Sequence, residues 1–362
     1  LSPPLNVAPG ALTVAVDCNG ADLGAGEVAA GAVLAARAGA RILLFGPAGE
    51  IGELEGLDGA GGSVAVIDAP LSIAKSPDPV QAARANPEAS IVQAARAVAD
   101  GRAQALVCAG GTGAALAASL FNIKRARGIY RPALALPLPV PGRPVTLLDV
   151  GANDEARREH LLQFAFMGAA LSRIVLAVER PRVGLLSNGE EPGRGRAQIV
   201  EVNAELRERA GAGLESFEFV GNVEGGDIVS GVADVVVTDG FTGNIALKLM
   251  EGVSQVMLGA VRGAATSSLR GTAGGLLLRG ALRGFRDELD PEAHGGAYLL
   301  GLRSLAVVPH GRFTRVGFAQ AILRAAHGAG EDIVGQTQRE LQSAGALRTV
   351  PASAPVASLP RA

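Results

Sequence analysis

The chain is assembled from short apolar runs that lack polar alternation, and most are followed by a helical pattern. "LTVAVD" (12–17), "RILLFG" (41–46), "SVAVID" (63–68), "QALVCAG" (104–110), "VTLLDVG" (145–151), "RVGLLSN" (182–188), "ESFEFVG" (215–221) and "ADVVVTD" (233–239) read as strands. "GEVAAGAVLAARAGA" (26–40), "EASIVQAARAVADGRA" (88–103), "TGAALAASLFN" (112–122), "REHLLQFAFMGAALSRI" (158–174) and "GRAQIVEVNAELRERA" (195–210) read as helices. A strand without period-two alternation is expected to be buried on both faces. Such strands alternating with helices predict an α/β protein whose mostly parallel sheet is covered on both sides.

Several of these strands end in similar loops. Asp17 precedes Asn19-Gly20-Ala21-Asp22, and Ala109 precedes Gly110-Gly111-Thr112-Gly113. Asp149 precedes Gly151-Ala152-Asn153, and Ser187 precedes Asn188-Gly189-Glu190-Glu191. Gly221 precedes Asn222-Val223-Glu224-Gly225, and Asp239 precedes Gly240 through Asn244. In a parallel sheet these ends share one edge, where such folds bind ligands. Asp17, Gly20, Gly110, Gly111, Thr112, Gly113, Asn153, Glu190, Arg194, Asn222, Glu224, Gly240 and Gly243 are the candidate substrate-binding residues.

The chemistry suggested is that of a small anion. A strand, glycines and then a helix present backbone N–H groups at a helix N-terminus with little side-chain bulk. "CAGGTGAAL" (108–116) and "TDGFTGNIALK" (238–248) both have this form. Neither is a GxxxxGK[ST] loop, and no GxGxxG follows the first strand, so a nucleotide is not indicated. Asn244 could cap the following helix, and Lys248 lies one turn on, on the same face. Asp239 could orient that lysine or the loop amides. Lys248, Asn244, Asp239 and His310 are the candidate catalytic residues.

Composition narrows the function class. A net charge of −2 over 362 residues provides no global field for nucleic acid. The two cysteines, Cys18 and Cys108, belong to no metal-ligand pattern and read as buried, inert thiols, and no cofactor is implied. No run of about 20 apolar residues could span a membrane. Residues 1–11 have neither the basic nor the apolar part of a secretion signal, so a cytoplasmic protein is expected. One domain over 12–343 is expected, with 1–11 and 344–362 disordered.

From 255 to 286 the character changes, with Arg262, Arg270, Arg279, Arg283 and Arg286 and no acid. Leu278, Leu282 and Phe285 have helical spacing, as do the last three arginines. The stretch reads either as a basic amphipathic helix against an anionic bilayer or as a helical hairpin packed on a partner subunit. Arg125, Arg127 and Arg131 form a second basic cluster.

Taken together, "RPALA" (131–135), "LLDVGAN" (147–153), "HLLQFAFMG" (160–168), "VGLLSNGEE" (183–191), "FVGNVEGGDIVSGVADVVVTDGFTGNIALK" (219–248), "HGGAYLLG" (294–301) and "HG" (310–311) resemble the bacterial phosphate acyltransferases of phospholipid synthesis. The resemblance runs from about residue 12 to residue 330. It implies acyl transfer from acyl-acyl carrier protein to inorganic phosphate; the acidic carrier needs an exposed basic patch, for which 255–286, with Arg262, Arg270, Arg279, Arg283 and Arg286, and the Arg125, Arg127 and Arg131 cluster are the candidates. It also implies a three-layer α/β/α sandwich, a homodimer, a projecting helical hairpin at about 250–290, and peripheral membrane attachment. The chain departs from that pattern where Asp17-Cys18-Asn19-Gly20-Ala21-Asp22 replaces DAMGGD and where Gly111 replaces the Asn of SAGNTGA. Two alternatives are an acyl-CoA-dependent phosphotransacylase and a catalytically weak, membrane-associated scaffold paralogue.

Overall fold

The computed structural model describes residues 12–52, 62–140, 142, 144–213, 215–268, 270, 272–274, 277, 280, 284 and 289–348. Its strands are β1 (Thr13–Asp17), β2 (Arg41–Gly46), β3 (Ser63–Asp68), β4 (Ala105–Cys108), β5 (Ala133–Leu138), β6 (Val145–Leu148), β7 (Arg182–Leu186), β8 (Glu218–Val223), β9 (Val235–Val237), β10 (Ala297–Leu300) and β11 (Leu305–Val308). They form one 11-stranded sheet in the order β3-β2-β1-β4-β11-β10-β5-β6-β9-β7-β8. The main helices are α1 (Ala25–Arg37), α2 (Ala48–Ile51), α3 (Pro79–Ala85), α4 (Ser90–Ala99), α5 (Thr112–Asn122), α6 (Arg158–Val175), α7 (Ala197–Gly211), α8 (Gly240–Thr266), α9 (Arg315–Gly330) and α10 (Ile333–Ser343).

Burial on both faces holds for the central strands. Val14 and Val16 enter one core while Ala15 enters the other. Residues of α1, α6, α7, α9 and α10 fill the first core, and α3, α4 and α5 cover the second. The result is the three-layer α/β/α arrangement. β3 is different: it is the edge strand beside β2, and Val66 is 38% exposed. An apolar run therefore marked a strand there without marking burial.

The sheet is mostly parallel, but it reverses direction at its centre. β3, β2, β1, β4 and β11 run one way. β10 is antiparallel to β11 and to β5, and β5 is antiparallel to β6. β6, β9, β7 and β8 are parallel to each other and opposed to the first group. The expectation that all six Gly/Asn loops share one edge is therefore wrong. Loops after β1, β4 and β11 lie at one edge; those after β6, β7, β8 and β9 lie at the other.

α8 packs on the second face through Ala246, Leu247 and Met250. From Glu251 to Ala264 every side chain is exposed. At 1.5 Å per residue the helix is about 40 Å long, so its distal part projects from the body. Arg262 and Arg270 are exposed, whereas Arg279, Arg283 and Arg286 lie outside the described residues. The body also continues past residue 343. Ala346 is buried, its carbonyl accepts from Gln163 Nε2 at 2.9 Å, and Arg348 N–H donates to Gly128 O at 2.8 Å. Disorder expected from residue 344 is thus corrected for 344–348; residues 1–11 and 349–362 lie outside the described residues.

Two positions tie this architecture to measurable stability. A Cβ on Gly243 would sit 1.9 Å from the Asp149 carbonyl oxygen, because the first turn of α8 presses on the loop after β6. Gly243→Ala is expected to cost roughly 1–3 kcal/mol in denaturant unfolding. An unchanged midpoint would contradict that packing.

Asp17 is 1% exposed at the end of β1, and burial raises its pKa to about 6. Its contribution to stability is fully present below about pH 4 and is lost as pH rises through about 6, a loss of roughly 3 kcal/mol. Asp17→Asn should flatten the pH dependence of unfolding across this window. Parallel wild-type and variant curves would refute the assignment.

Candidate active site

A cleft of 480 Å³ opens on the second face of the sheet, over the central strands where direction reverses. Leu134, Leu136, Val150, Ala297 and Val308 form an apolar floor. Asn244, Leu247, Lys248 and Glu251 of α8 form one wall. Gly110, Gly111, Thr112 and His310 lie at one end, and Gly151 at the other. The antiparallel strands explain this arrangement: they leave a gap between α5 and α8 and bring opposite sheet edges to a single trough.

At the first end, α5 begins at Thr112 with no side-chain cap on its amides. The first amides of a helix have no intrahelical acceptors and carry the positive end of the dipole. Gly111 is left-handed, with φ 59° and ψ 53°. A Cβ on Gly110 would lie 2.6 Å from the Gly20 carbonyl oxygen, so the loops after β1 and β4 touch through backbone. Beneath them Asp17 accepts from Asn19 N–H at 3.1 Å and from the Cys108 thiol at 3.5 Å. Burial pushes the Cys18 thiol up to about 12 and the Cys108 thiol well above its usual value, so both are inert at neutral pH. Asp17, Gly20 and Gly113 are thus supports, not cleft residues; Gly113 instead faces Pro79.

His310 follows β11 at this same end. Its Nδ1 accepts the Arg312 N–H at 3.1 Å, and its ring stacks on Phe313 at 6.4 Å. That hydrogen bond places the proton of the neutral ring on Nε2, which remains available as a donor.

At the second end, Asp239 rather than Asn244 caps α8. Its carboxylate accepts from Thr242 N–H at 2.8 Å, Thr242 Oγ1 at 3.0 Å and Arg196 Nη1 at 3.0 Å. These partners make Asp239 a helix cap and ion-pair member, and it does not line the cleft. Gly240 and Gly243 serve close packing: Gly240 N–H donates to Asn153 O at 2.7 Å. Asn153 itself holds the Asp149 carboxylate and the Pro132 carbonyl, each at 2.8 Å. Freed from capping, Asn244 and Lys248 present successive turns to the cleft, and Lys248 is exposed.

Glu190, Arg194, Asn222 and Glu224 are not brought to this cleft. Asn222 Nδ2 donates to the Glu191 carbonyl at 2.8 Å and so fastens the loop after β7. Arg194 pairs with Glu191 at 3.5 Å, both exposed, and Glu224 opens the 3-10 turn Gly225–Val229. The strand order is the reason: these loops lie beyond β9, on the far side of α8's origin. Sequence reasoning also missed Asp149 and the apolar floor. An acid wedged between a strand and Gly-Ala-Asn was the available signal for Asp149. The floor came from β5, β10 and β11, which were not recognised as strands. Among the described residues no cluster of three or more His, Cys, Asp or Glu could hold a metal.

Comparison with known proteins agrees with this fold. The family model described as "Fatty acid synthesis protein" matches residues 12–336. A phosphate acyltransferase from Thermobifida fusca is 41% identical over 313 residues, covering 86% of each chain. Another from Desulforudis audaxviator is 42% identical over 323 residues, covering 89% of this chain and 92% of its own. Among solved structures, a phosphotransacetylase from Streptococcus pyogenes superposes with a TM-score of 0.59 at 16% identity, over 90% of this chain and 96% of its own. A branched-chain phosphotransacylase from Enterococcus faecalis gives 0.52 at 15% identity, over 88% and 99%. At those identities the structures speak for the fold alone, but the family model and curated relatives span most of the sequence: the chain belongs to the fatty acid synthesis protein family, with relatives named phosphate acyltransferase.

Proposed function

We propose that this protein is a phosphate acyltransferase that moves a fatty acyl group from acyl-acyl carrier protein to inorganic phosphate. The observation that carries the reading is the cleft itself. Uncapped α5 amides and the His310 Nε2 donor lie at one end of an apolar trough, and Lys248 lines its α8 wall. The amides suit an anion, and the trough suits an acyl chain.

Phosphate at the α5 N-terminus attacks the thioester carbonyl. A C–O bond forms between the phosphate oxygen and the acyl carbon, the C–S bond breaks, and the proton of the hydrogen phosphate ends on the leaving thiol. Lys248 and His310 stabilise charge on phosphate and on the carbonyl oxygen; Asn244 is a further polar contact. No strong general base is needed, since the phosphate is already anionic. Gly111 weakens the case for an inactive scaffold. It takes the left-handed conformation, which Asn also tolerates, so the substitution retains the loop geometry at the helix start.

The protein acts as a homodimer in contact with an anionic membrane. The exposed apolar residues Ile245, Leu249, Val253, Val256, Met257 and Val261 along α8 support both parts of this reading. No helix among the described residues is long and apolar enough to cross a membrane.

Purified protein given long-chain acyl-carrier protein should release free carrier thiol and acyl phosphate in equal amounts, only when phosphate is present. Acyl-CoA supporting equal or faster turnover would replace the carrier-protein donor with a CoA donor. Lys248→Ala and His310→Ala should each lower kcat by about 10²-fold, on the scale of one lost oxyanion donor, with the fold intact by circular dichroism. Full turnover with an unchanged phosphate KM in either variant would remove that residue from the site.

A further inference from the structure

The segment joining α5 to β5 carries Lys124, Arg125, Arg127 and Arg131 without an acid among residues 123–131. The fold adds two more cations to it. Ala126 N–H donates to Gly301 O and Arg303 N–H to Lys124 O, each at 3.0 Å, with Arg125 bridged to Leu302. This short ladder sets Arg303 beside Lys124. Arg348 N–H meets Gly128 O at 2.8 Å, and its guanidinium lies 6.0 Å from the Tyr130 ring centroid.

All six basic residues are exposed, and among the described residues none forms an ion pair. Like charges held as neighbours repel, and an acidic partner relieves that repulsion. The chain's net charge is −2, so this concentration of positive charge is local. Asp154, Glu155 and Glu159 share a hollow with Arg131 and Arg348 and bound the basic surface on that side. Its centre is therefore Lys124, Arg127 and Arg303.

Location gives the surface a purpose. Arg131 and Pro132 enter β5, and the Pro132 carbonyl accepts from Asn153 Nδ2 at 2.8 Å. Two residues before Asn153, Gly151 lines the cleft end opposite the α5 amides. We infer that this basic surface docks the acidic carrier protein, whose thioester arm enters the cleft past Gly151 while phosphate occupies the α5 end. The inference rests on the carrier-protein reading above and adds where that partner binds.

The test uses Arg127→Glu/Arg303→Glu. With acyl-carrier protein as donor, KM should rise about tenfold or more, with kcat and phosphate KM unchanged. Turnover of acyl-CoA, a small donor with no docking domain, should not change. Titration with carrier protein alone should show the same weakening. An unchanged carrier KM, an equal loss with both donors, or weakened binding to anionic vesicles with unchanged carrier affinity would overturn the inference. So would a raised carrier KM in Arg262→Glu with none in the double variant, which would move docking to α8. A wild-type protein that binds carrier without making acyl phosphate would sink the proposed reaction but not the docking surface, because titration reads binding alone.

Discussion

The Asp149 carboxylate organises the centre of the molecule. It is 0% exposed and accepts from Leu134 N, Gly151 N, Ala152 N, Asn153 N and Asn153 Nδ2 at 2.8–3.1 Å. Burial raises its pKa, and these donors counter part of that shift. A buried carboxylate without such partners costs several kcal/mol. Its donors come from β5 and from the loop that carries Gly151 and Asn153. Asn153 in turn accepts Gly240 N–H, and Gly243 closes on the Asp149 backbone. One acid therefore fixes the end of β6, the start of α8 and the Gly151 end of the cleft.

The reversal between β11 and β6 gives that anchor its effect. In a wholly parallel sheet, loops that follow strands gather at one edge and enclose one crevice. Here the α5 N-terminus and the Asp149 loop belong to opposite edges, and only the face over β10 and β5 joins them. The trough consequently has two chemically different ends on a shared apolar floor. One end offers amides and a histidine donor; the other offers close-packed glycine backbone beside a basic surface. Such a trough suits transfer from an acyl thioester to an anion, because it lets the phosphate and the thioester arm enter from different ends and meet at the thioester carbonyl.

How much was legible depended on whether a pattern was local. The start of α5 at Thr112 was legible, as were β2 and β3 at their observed limits, because turns and apolar runs bounded them. β5 was missed because Pro137 interrupts its run, and β10 and β11 because four residues each carry little periodic signal. Those three strands decide the sheet's direction, so missing them placed all the loops on one edge and drew Glu190, Asn222 and Glu224 into the site. Gly110, Gly111, Thr112, Asn244, Lys248 and His310 line one cleft, and they stood out locally through glycine-to-helix transitions, a scarce lysine and a histidine after an apolar run. The Arg303–Lys124 neighbourhood is a long-range pairing, and sequence contained only its Arg125, Arg127 and Arg131 half.

The stretch "TDGFTGNIALK" separates into two functions once its contacts are known. Asp239, Thr242, Gly240 and Gly243 start and seat the helix, through a cap, a hydroxyl bond and two glycines that admit neighbouring backbone. Asn244 and Lys248 then inherit their direction from that seating. A lysine on a freely exposed helix would sample many orientations, and its charge would be screened by water. Here the helix axis is fixed by the Asp149 loop at its first turn and by Leu247 and Met250 against the core. The density of glycine and acid ahead of Lys248 is thus positional: it sets which side of the trough receives the positive charge, and the chemistry follows from that placement.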